Sequence, residues 1–165
     1  MRKHSDKEDL FDRVLRESEK RLILIARSYA PGDSSRDFLQ EIVLQLWRGL
    51  DGYEGKSSLA TWVYRVALNT ACNFHRQHSR SFQTPVEAQL QNNARPLTSS
   101  QNLDEIQILE DFIGSLGELD RDIFLMYVDG LSYREISDVV ALDEAHLRVR
   151  ISRLKKKFTE RYIAT

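Results

Sequence analysis

"SYREISDVVALDEAHLRVRISRLKKKF", residues 132–158, changes character halfway along. Its first half is acidic and apolar, and after His146 cations arrive at almost every second position. Ser132 and Glu135 have the spacing of a capping box, in which the serine caps a helix and the glutamate reaches back to the serine N–H. Ile136, Val139 and Val140 then fill one face of a short helix, "ALD" makes a turn, and Asp143 offers a second cap. Two separately capped helices joined by about three or four residues form a helix-turn-helix.

Placed at 100° per residue, Leu147, Ile151, Leu154 and Phe158 share a stripe about 60° wide, the packed side of the second helix. Opposite lie Ala145, Arg148, Val149, Ser152, Arg153 and Lys156. Small, cationic and single apolar residues on one outward face suit a DNA major groove: arginines for guanine or phosphate, Ser152 for a polar edge, Val149 for a thymine methyl. Lys155, Lys157 and Arg161, further along, suit phosphates.

Charge is segregated although the net charge is only −1. Twelve acids stand against Arg121 and Arg134 between Gln101 and Glu144, whereas from Ala145 onward seven cations face Glu160 alone. A basic strip of this kind is the footprint of a polyanion-binding face, and the acids upstream keep the scaffold helix from adhering to DNA in a wrong pose.

Working outward, the chain of 165 residues holds one ordinary domain or two small ones, and 41% hydrophobic with 30% charged residues is globular. No apolar run reaches membrane-spanning length, which excludes membrane insertion, and "MRKHSDKEDLFDRV" lacks the apolar stretch of a secretory signal. A single cysteine, Cys72, fits a reducing cytoplasm. Gly-rich phosphate loops, GxSxG and HExxH are missing, so the reading is of a non-enzyme without a cofactor. Cys72, His75 and His78 converge only loosely on one helix face, short of the four ligands of a structural zinc.

Helical periodicity recurs at Leu10, Val14, Leu22, Ile25 and Tyr29, stopped by "PGD" at 31–33. Phe38, Ile42, Val43, Leu46, Trp47 and Leu50 form a second stripe; Leu59, Trp62, Val63, Val66, Thr70 and Phe74, behind the N-cap Ser58, form a third. Residues 80–102 have linker composition, and beyond them Ile106, Leu109, Phe112, Ile113 and Leu116 start a new cluster. The expected fold is all-α: a three-helix-type bundle over 8–79, a flexible linker over 80–102 and a helix-turn-helix bundle over 103–163.

The stretch "DFLQEIVLQLWRGLDGYEGKSSLATWVYRVALNTACNFHR", residues 37–76, resembles region 2 of the RNA polymerase sigma factors, in particular the small extracytoplasmic-function (ECF) type. The resemblance rests on Asp37, Gln40, Glu41 and Trp47 and on the run from Leu50 through Ala67. "LGELDRDIFLMYVDGLSYREISDVVALDEAHLRVRISRLKKKF", residues 116–158, is similar to region 4 of the same family. The chain departs from the family at Ala141, where glycine is usual in the turn, and at "LDEAH", residues 142–146. Its short tether leaves no room for a region 3 domain, and nothing before residue 10 has the length of a region 1.

The resemblance implies roles. Asp37, Gln40, Glu41 and Gln45 would dock on the clamp helices of the polymerase largest subunit, with the flap as a further contact. Tyr53, Lys56, Ser57 and Ser58 would capture a flipped-out base of the −10 element, and Arg65, Asn69, Asn73, His75 and Arg76 would contact −10 DNA. Tyr64 points away from the apolar stripe and is the stacking candidate, whereas Trp62 and Phe74 belong to the core. His146, Arg148, Val149, Arg150, Ser152, Arg153 and Lys156 would read the −35 duplex. Core polymerase, promoter DNA and an anti-sigma factor are the implied partners. Two other readings remain: a helix-turn-helix regulator acting without polymerase, and a sigma-like adaptor that reads no promoter.

Overall fold

The computed structural model describes residues 2–30, 32–81 and 101–163. Among them the all-α expectation is borne out, with helices as the regular elements and no strand. An N-terminal bundle comprises α1 (Arg2–Tyr29), α2 (Ser34–Gly49) and α3 (Leu59–Ser81), with a 3₁₀ turn at Leu50–Gly52 before the loop that enters α3. A C-terminal bundle comprises α4 (Gln101–Gly114), α5 (Glu118–Val128), α6 (Tyr133–Val140) and α7 (Glu144–Tyr162). Residues 82–100, the bulk of the expected linker, lie outside the described residues.

Val14, Leu22 and Ile25 of α1, Phe38, Ile42 and Leu46 of α2, and Val63, Ala67 and Ala71 of α3 are buried together. Each fully buried large apolar side chain contributes roughly 1.5–3 kcal/mol relative to exposure. Aromatic contacts fix the helix pairs: Phe11 meets Trp47 edge-on at 5.0 Å, and Phe38 lies 4.8 Å from Phe74, which confirms Phe74 as core. Gly32, at φ +78°, makes the α1–α2 turn in a region that disfavours side chains. Ser58 caps α3 as expected, its Oγ accepting from the Thr61 N–H at 3.2 Å.

In the C-terminal bundle both expected caps are present. Ser132 Oγ accepts from the Glu135 N–H at 3.2 Å, and Glu135 Oε2 accepts from the Ser132 N–H at 2.8 Å. Asp143 Oδ1 accepts from the His146 N–H at 2.9 Å and starts α7. Between the helices Ala141 is left-handed, at φ 57° and ψ 36°, a conformation costing an alanine on the order of 1 kcal/mol. The expected stripe is buried at Leu147, Ile151 and Leu154, while Phe158 is half-buried, 5.1 Å from Phe112.

One expectation about α3 is corrected. Tyr64, expected to point away from the apolar stripe, is completely buried, and Thr61 is buried as well. The reason lies across the chain: α6 packs against α3, and the Tyr64 hydroxyl donates to the Leu125 carbonyl at 3.3 Å. A helix covered on two sides hides more than its single apolar stripe reveals. Burial pushes the Tyr64 phenol well above its ordinary range. Among the described residues no helix is long and apolar enough to cross a membrane.

Asp122 on α5 is largely enclosed, its Oδ1 buried without a hydrogen-bond partner among the described residues, and burial raises its carboxyl from 3.8 to about 7. As pH climbs from about 4 to 7, the unfolded chain releases this proton while the folded chain keeps it, so stability falls across that window and levels off above it. Three pH units correspond to about 4 kcal/mol at most, and partial solvation reduces this to roughly 1–3 kcal/mol. Asp122→Asn is therefore expected to raise unfolding free energy by roughly 1–3 kcal/mol at pH 8 and to change it little at pH 4. Urea denaturation at both pH values checks this; an equal shift at both would mean that no buried charge is being relieved.

Candidate nucleic-acid and polymerase interfaces

The recognition helix α7 presents its predicted face to solvent. His146, Arg148, Val149, Ser152, Arg153 and Lys156 are all exposed, Val149 to 53%. Leu142, His146, Val149, Arg150 and Arg153 line an open hollow of about 340 Å³ at the head of the helix. The hollow combines an apolar floor with two guanidinium groups, the surface chemistry a base edge with its methyl group requires.

Three details shape this face. Arg148 stacks over the Tyr133 ring at 4.8 Å and lies 3.7 Å from Glu144, so its fork is already oriented before any ligand arrives. Arg150, only half-exposed, gives its Nε to the Asp120 carboxylate of α5 and thereby ties α7 to the bundle. The pair makes Arg150 a strut between α7 and α5. His146 pairs through Nδ1 with Asp143, and hydrogen bonds from the His146 N–H and side chain hold the Asp143 carboxyl below its usual range. Tyr133 and Asp120 were therefore missed; nothing in local spacing links either to the arginine it serves.

In the N-terminal half a groove of about 910 Å³ runs between α2 and α3. Asp37, Glu41, Gln45 and Arg48 form one wall, Asn69, Asn73, Arg76 and Gln77 the other, above a floor including Val66, Thr70 and Phe74. The structure thus gathers three of the four polymerase-docking candidates and three of the −10 candidates along one cleft. Gln40 is exposed on α2 but does not line it. Gln45 Nε2 donates to Glu41 Oε1 at 2.7 Å, fixing the carboxylate on its wall. Arg48 and Gln77 were not singled out, although Arg48 lies three residues after Gln45 and Gln77 four after Asn73, helical spacings that continue each wall. The side chain of His75, like that of His78, lies outside the described residues, and Cys72 is exposed.

The loop before α3 is more occupied than expected. The Tyr53 ring lies 5.1 Å from Trp62, and its hydroxyl donates to the Ser57 carbonyl at 2.9 Å. Lys56 is exposed and paired with Glu54. Ser58 Oγ, besides capping α3, donates to Glu135 Oε1 of the helix-turn-helix at 2.8 Å. Arg65 is exposed, with Nη2 donating to the Asp138 carbonyl at 3.3 Å. Loop and recognition fold therefore share hydrogen bonds.

Comparison with known proteins shows the family. The family model for Sigma-70 region 2 matches residues 14–81, and that for Sigma-70, region 4 matches residues 106–158. The chain is 32% identical over 155 residues to the ECF RNA polymerase sigma-E factor of Escherichia coli (strain K12), covering 87% of this chain and 81% of the relative. Against the sigma-E factor of Haemophilus influenzae identity is 27% over 143 residues, covering 78% and 74% respectively. Among solved structures, the fold is similar to the sigma factor RpoE in complex with the anti-sigma factor NepR from Bartonella quintana, with a TM-score of 0.72, 21% identity and coverage of 91% of this chain and 94% of that one. It is also similar to CnrH in complex with the cytosolic domain of CnrY, with a TM-score of 0.66, 19% identity and coverage of 95% and 90%. Two region models in the expected order, and a relative of this identity across nearly the whole chain, show that the protein belongs to the ECF sigma factors of RNA polymerase.

Proposed function

We propose that this chain binds core RNA polymerase and directs it to promoters by reading −35 duplex DNA with α7 and trapping unpaired −10 bases with the N-terminal bundle. It carries out no catalysis of its own and works in the cytoplasm beside the polymerase. The observation that carries the reading is the solvent face of α7: Arg148, Val149, Ser152, Arg153 and Lys156 stand exposed while Leu147, Ile151 and Leu154 on the opposite side are buried. That division gives a helix fixed by its apolar side and free to enter a major groove with its basic one.

The remaining roles follow from the two walls of the α2–α3 groove. Asp37, Glu41 and Gln45, with Gln40 beside them, face the clamp helices of the largest subunit, and the C-terminal bundle engages the flap. Asn69, Asn73 and Arg76 meet the −10 strand, and Tyr53, Lys56, Ser57 and Ser58 provide the base-holding loop. Holding a base outside the stack requires several kcal/mol, which contacts to bases and polymerase together offset. The units proposed for these tasks are 8–79 and 103–163, joined through 80–102, so that two modest contacts on one promoter reinforce each other through effective concentration. An anti-sigma protein is the proposed negative regulator, by analogy with the complexes of the similar structures.

Reconstitution with core polymerase tests this. The purified chain is expected to co-purify with core and to support run-off transcription from promoters selected out of genomic DNA by the holoenzyme. A chain that ignores core yet binds duplex operators alone would be a polymerase-independent regulator. One that binds core without promoter-specific transcripts would be an adaptor.

A further inference from the structure

Nothing in the stability of α7 asks for an imidazole in its first turn. The positive end of a helix favours anions, and Asp143 caps the helix through the backbone alone, its Oδ1 accepting from the His146 N–H at 2.9 Å. The other carboxylate oxygen, Oδ2, nevertheless takes the His146 ring through Nδ1, so that one side chain clasps the residue at both backbone and ring. These hydrogen bonds, led by the one from the His146 N–H, hold the Asp143 carboxyl below its usual range. Near neutral pH it is therefore an ionised group that can only accept, and Nδ1 carries the proton. The second ring nitrogen, Nε2, is left for a ligand, and His146 lines the hollow at the head of α7 together with Val149 and Arg153.

The charges around the ring do not cancel. Asp143 touches it, and Arg153 across the hollow opposes a further positive charge. Arg150, also at the hollow, is met by Asp120 of α5, and Arg148 by Glu144. From α6 come Tyr133, beneath Arg148, and Ser137, whose hydroxyl donates to the Leu142 carbonyl at 2.5 Å, while Glu135 is taken up by Ser58 and Ser132. Against this balance, a duplex entering the hollow adds phosphate charge on the side of the imidazolium.

We propose that His146 enters −35 recognition as an imidazolium, oriented by Asp143 and donating from Nε2 to an acceptor of the duplex, a guanine edge or a phosphate oxygen, so that promoter binding takes up a proton. A neutral ring with its proton on Nδ1 offers Nε2 only as an acceptor, which both of those partners repel. Binding and protonation therefore favour one another, and affinity falls as pH rises through the range in which an imidazole ordinarily changes charge, about pH 5 to 8. A full proton taken up would cost about tenfold in affinity per pH unit, and exposure of the pair to solvent reduces the loss to roughly three- to tenfold between about pH 6 and 8. The inference deepens the −35 role proposed for α7 and rests on it.

The test compares holoenzymes reconstituted with the natural chain, His146→Gln and Asp143→Asn on one promoter, at about pH 6, 7 and 8 and constant ionic strength. All share the core enzyme, so the ratio of natural to His146→Gln affinity cancels the pH dependence of the polymerase itself. That ratio is expected to fall roughly three- to tenfold from about pH 6 to 8. Asparagine also caps helices, so Asp143→Asn should keep α7 while releasing the ring, and its advantage over His146→Gln should fade at lower pH than that of the natural chain. Single-base −35 variants of the promoter separate the two acceptors: the ratio collapses on loss of one guanine if the contact is to a base, and persists across all of them if it is to a phosphate. Should His146→Gln lose helicity by circular dichroism, His146→Ser takes its place and the same ratio decides. A ratio that stays level with pH overturns the proposal, as does an Asp143→Asn profile superposable on the natural one. Holoenzyme that at no pH prefers a promoter with its −35 element to one with that element scrambled overturns the reading of function itself, whereas such a preference with a level ratio leaves that reading standing without the proton.

Discussion

Asp37→Lys combined with Glu41→Lys is expected to abolish association with core polymerase. Both residues stand on the α2 wall of the groove, one helical turn apart, and Gln45 holds the Glu41 carboxylate in place. A carboxylate pair presented on a rigid helix is a patch that selects a partner rich in cations and N–H donors. Replacing both changes the local charge by four and turns attraction into repulsion at the centre of the contact. Losing a paired interfacial charge costs about 2–5 kcal/mol, and like charges brought together cost several more, so the two sites together lower affinity by at least about a thousandfold. The fold should survive. Asp37 is exposed and Glu41 half-exposed, and the loss of Asp37 from the first turn of α2 costs only about 0.3–1 kcal/mol through the helix dipole. Pull-down on immobilised core, with thermal unfolding of the variant alongside, checks both halves of the expectation. Association that persists in a folded variant places the docking surface elsewhere.

How far the sequence carries the reader depends on whether a feature is local. The caps at Ser132, Glu135 and Asp143 involve residues three apart, and the stripe of Leu147, Ile151 and Leu154 repeats with the helix, so both were legible. So were the three N-terminal stripes, because each helix there turns one apolar side to its neighbours. Tyr64 was misplaced for a different reason. Its hydroxyl meets the Leu125 carbonyl of α5, 61 residues on, and α6 packs against the same helix; periodicity along α3 cannot register a second covering element. The same holds for Arg150, whose partner Asp120 lies 30 residues away and whose strut role resembles, on a helical wheel, that of any outward arginine. The acidic run before His146 was legible as charge but not as contact, since only the folded chain brings Asp129 to Arg21 and Glu135 to Ser58.

Arg148→Ala and Arg153→Ala are each expected to weaken recognition of the −35 element by about 1–3 kcal/mol, and together by roughly the sum, a loss of some hundredfold or more. The two arginines have different surroundings, and this sets how each substitution acts. Arg148 is held by the Tyr133 ring and Glu144, so little side-chain entropy is lost when it meets a base, and Tyr133→Ala should reproduce part of its effect. Arg153 borders the hollow beside Val149 and His146, where an apolar floor excludes water from whatever it contacts. Lys156, exposed and only 3.7 Å from Glu160 in a weak surface pair, suits a phosphate; Lys156→Ala should lower affinity uniformly across sequences and reduce the salt dependence by about one charge. The separation is read by competition: holoenzyme carrying each variant transcribes a promoter and a set of single-base −35 mutants, at two salt concentrations. Relaxed discrimination in the arginine variants, against an unchanged ranking with Lys156→Ala, assigns base reading to one edge of α7 and backbone contact to the other. Unchanged promoter ranking in both arginine variants would mean that the exposed face of α7 is not the surface that reads DNA.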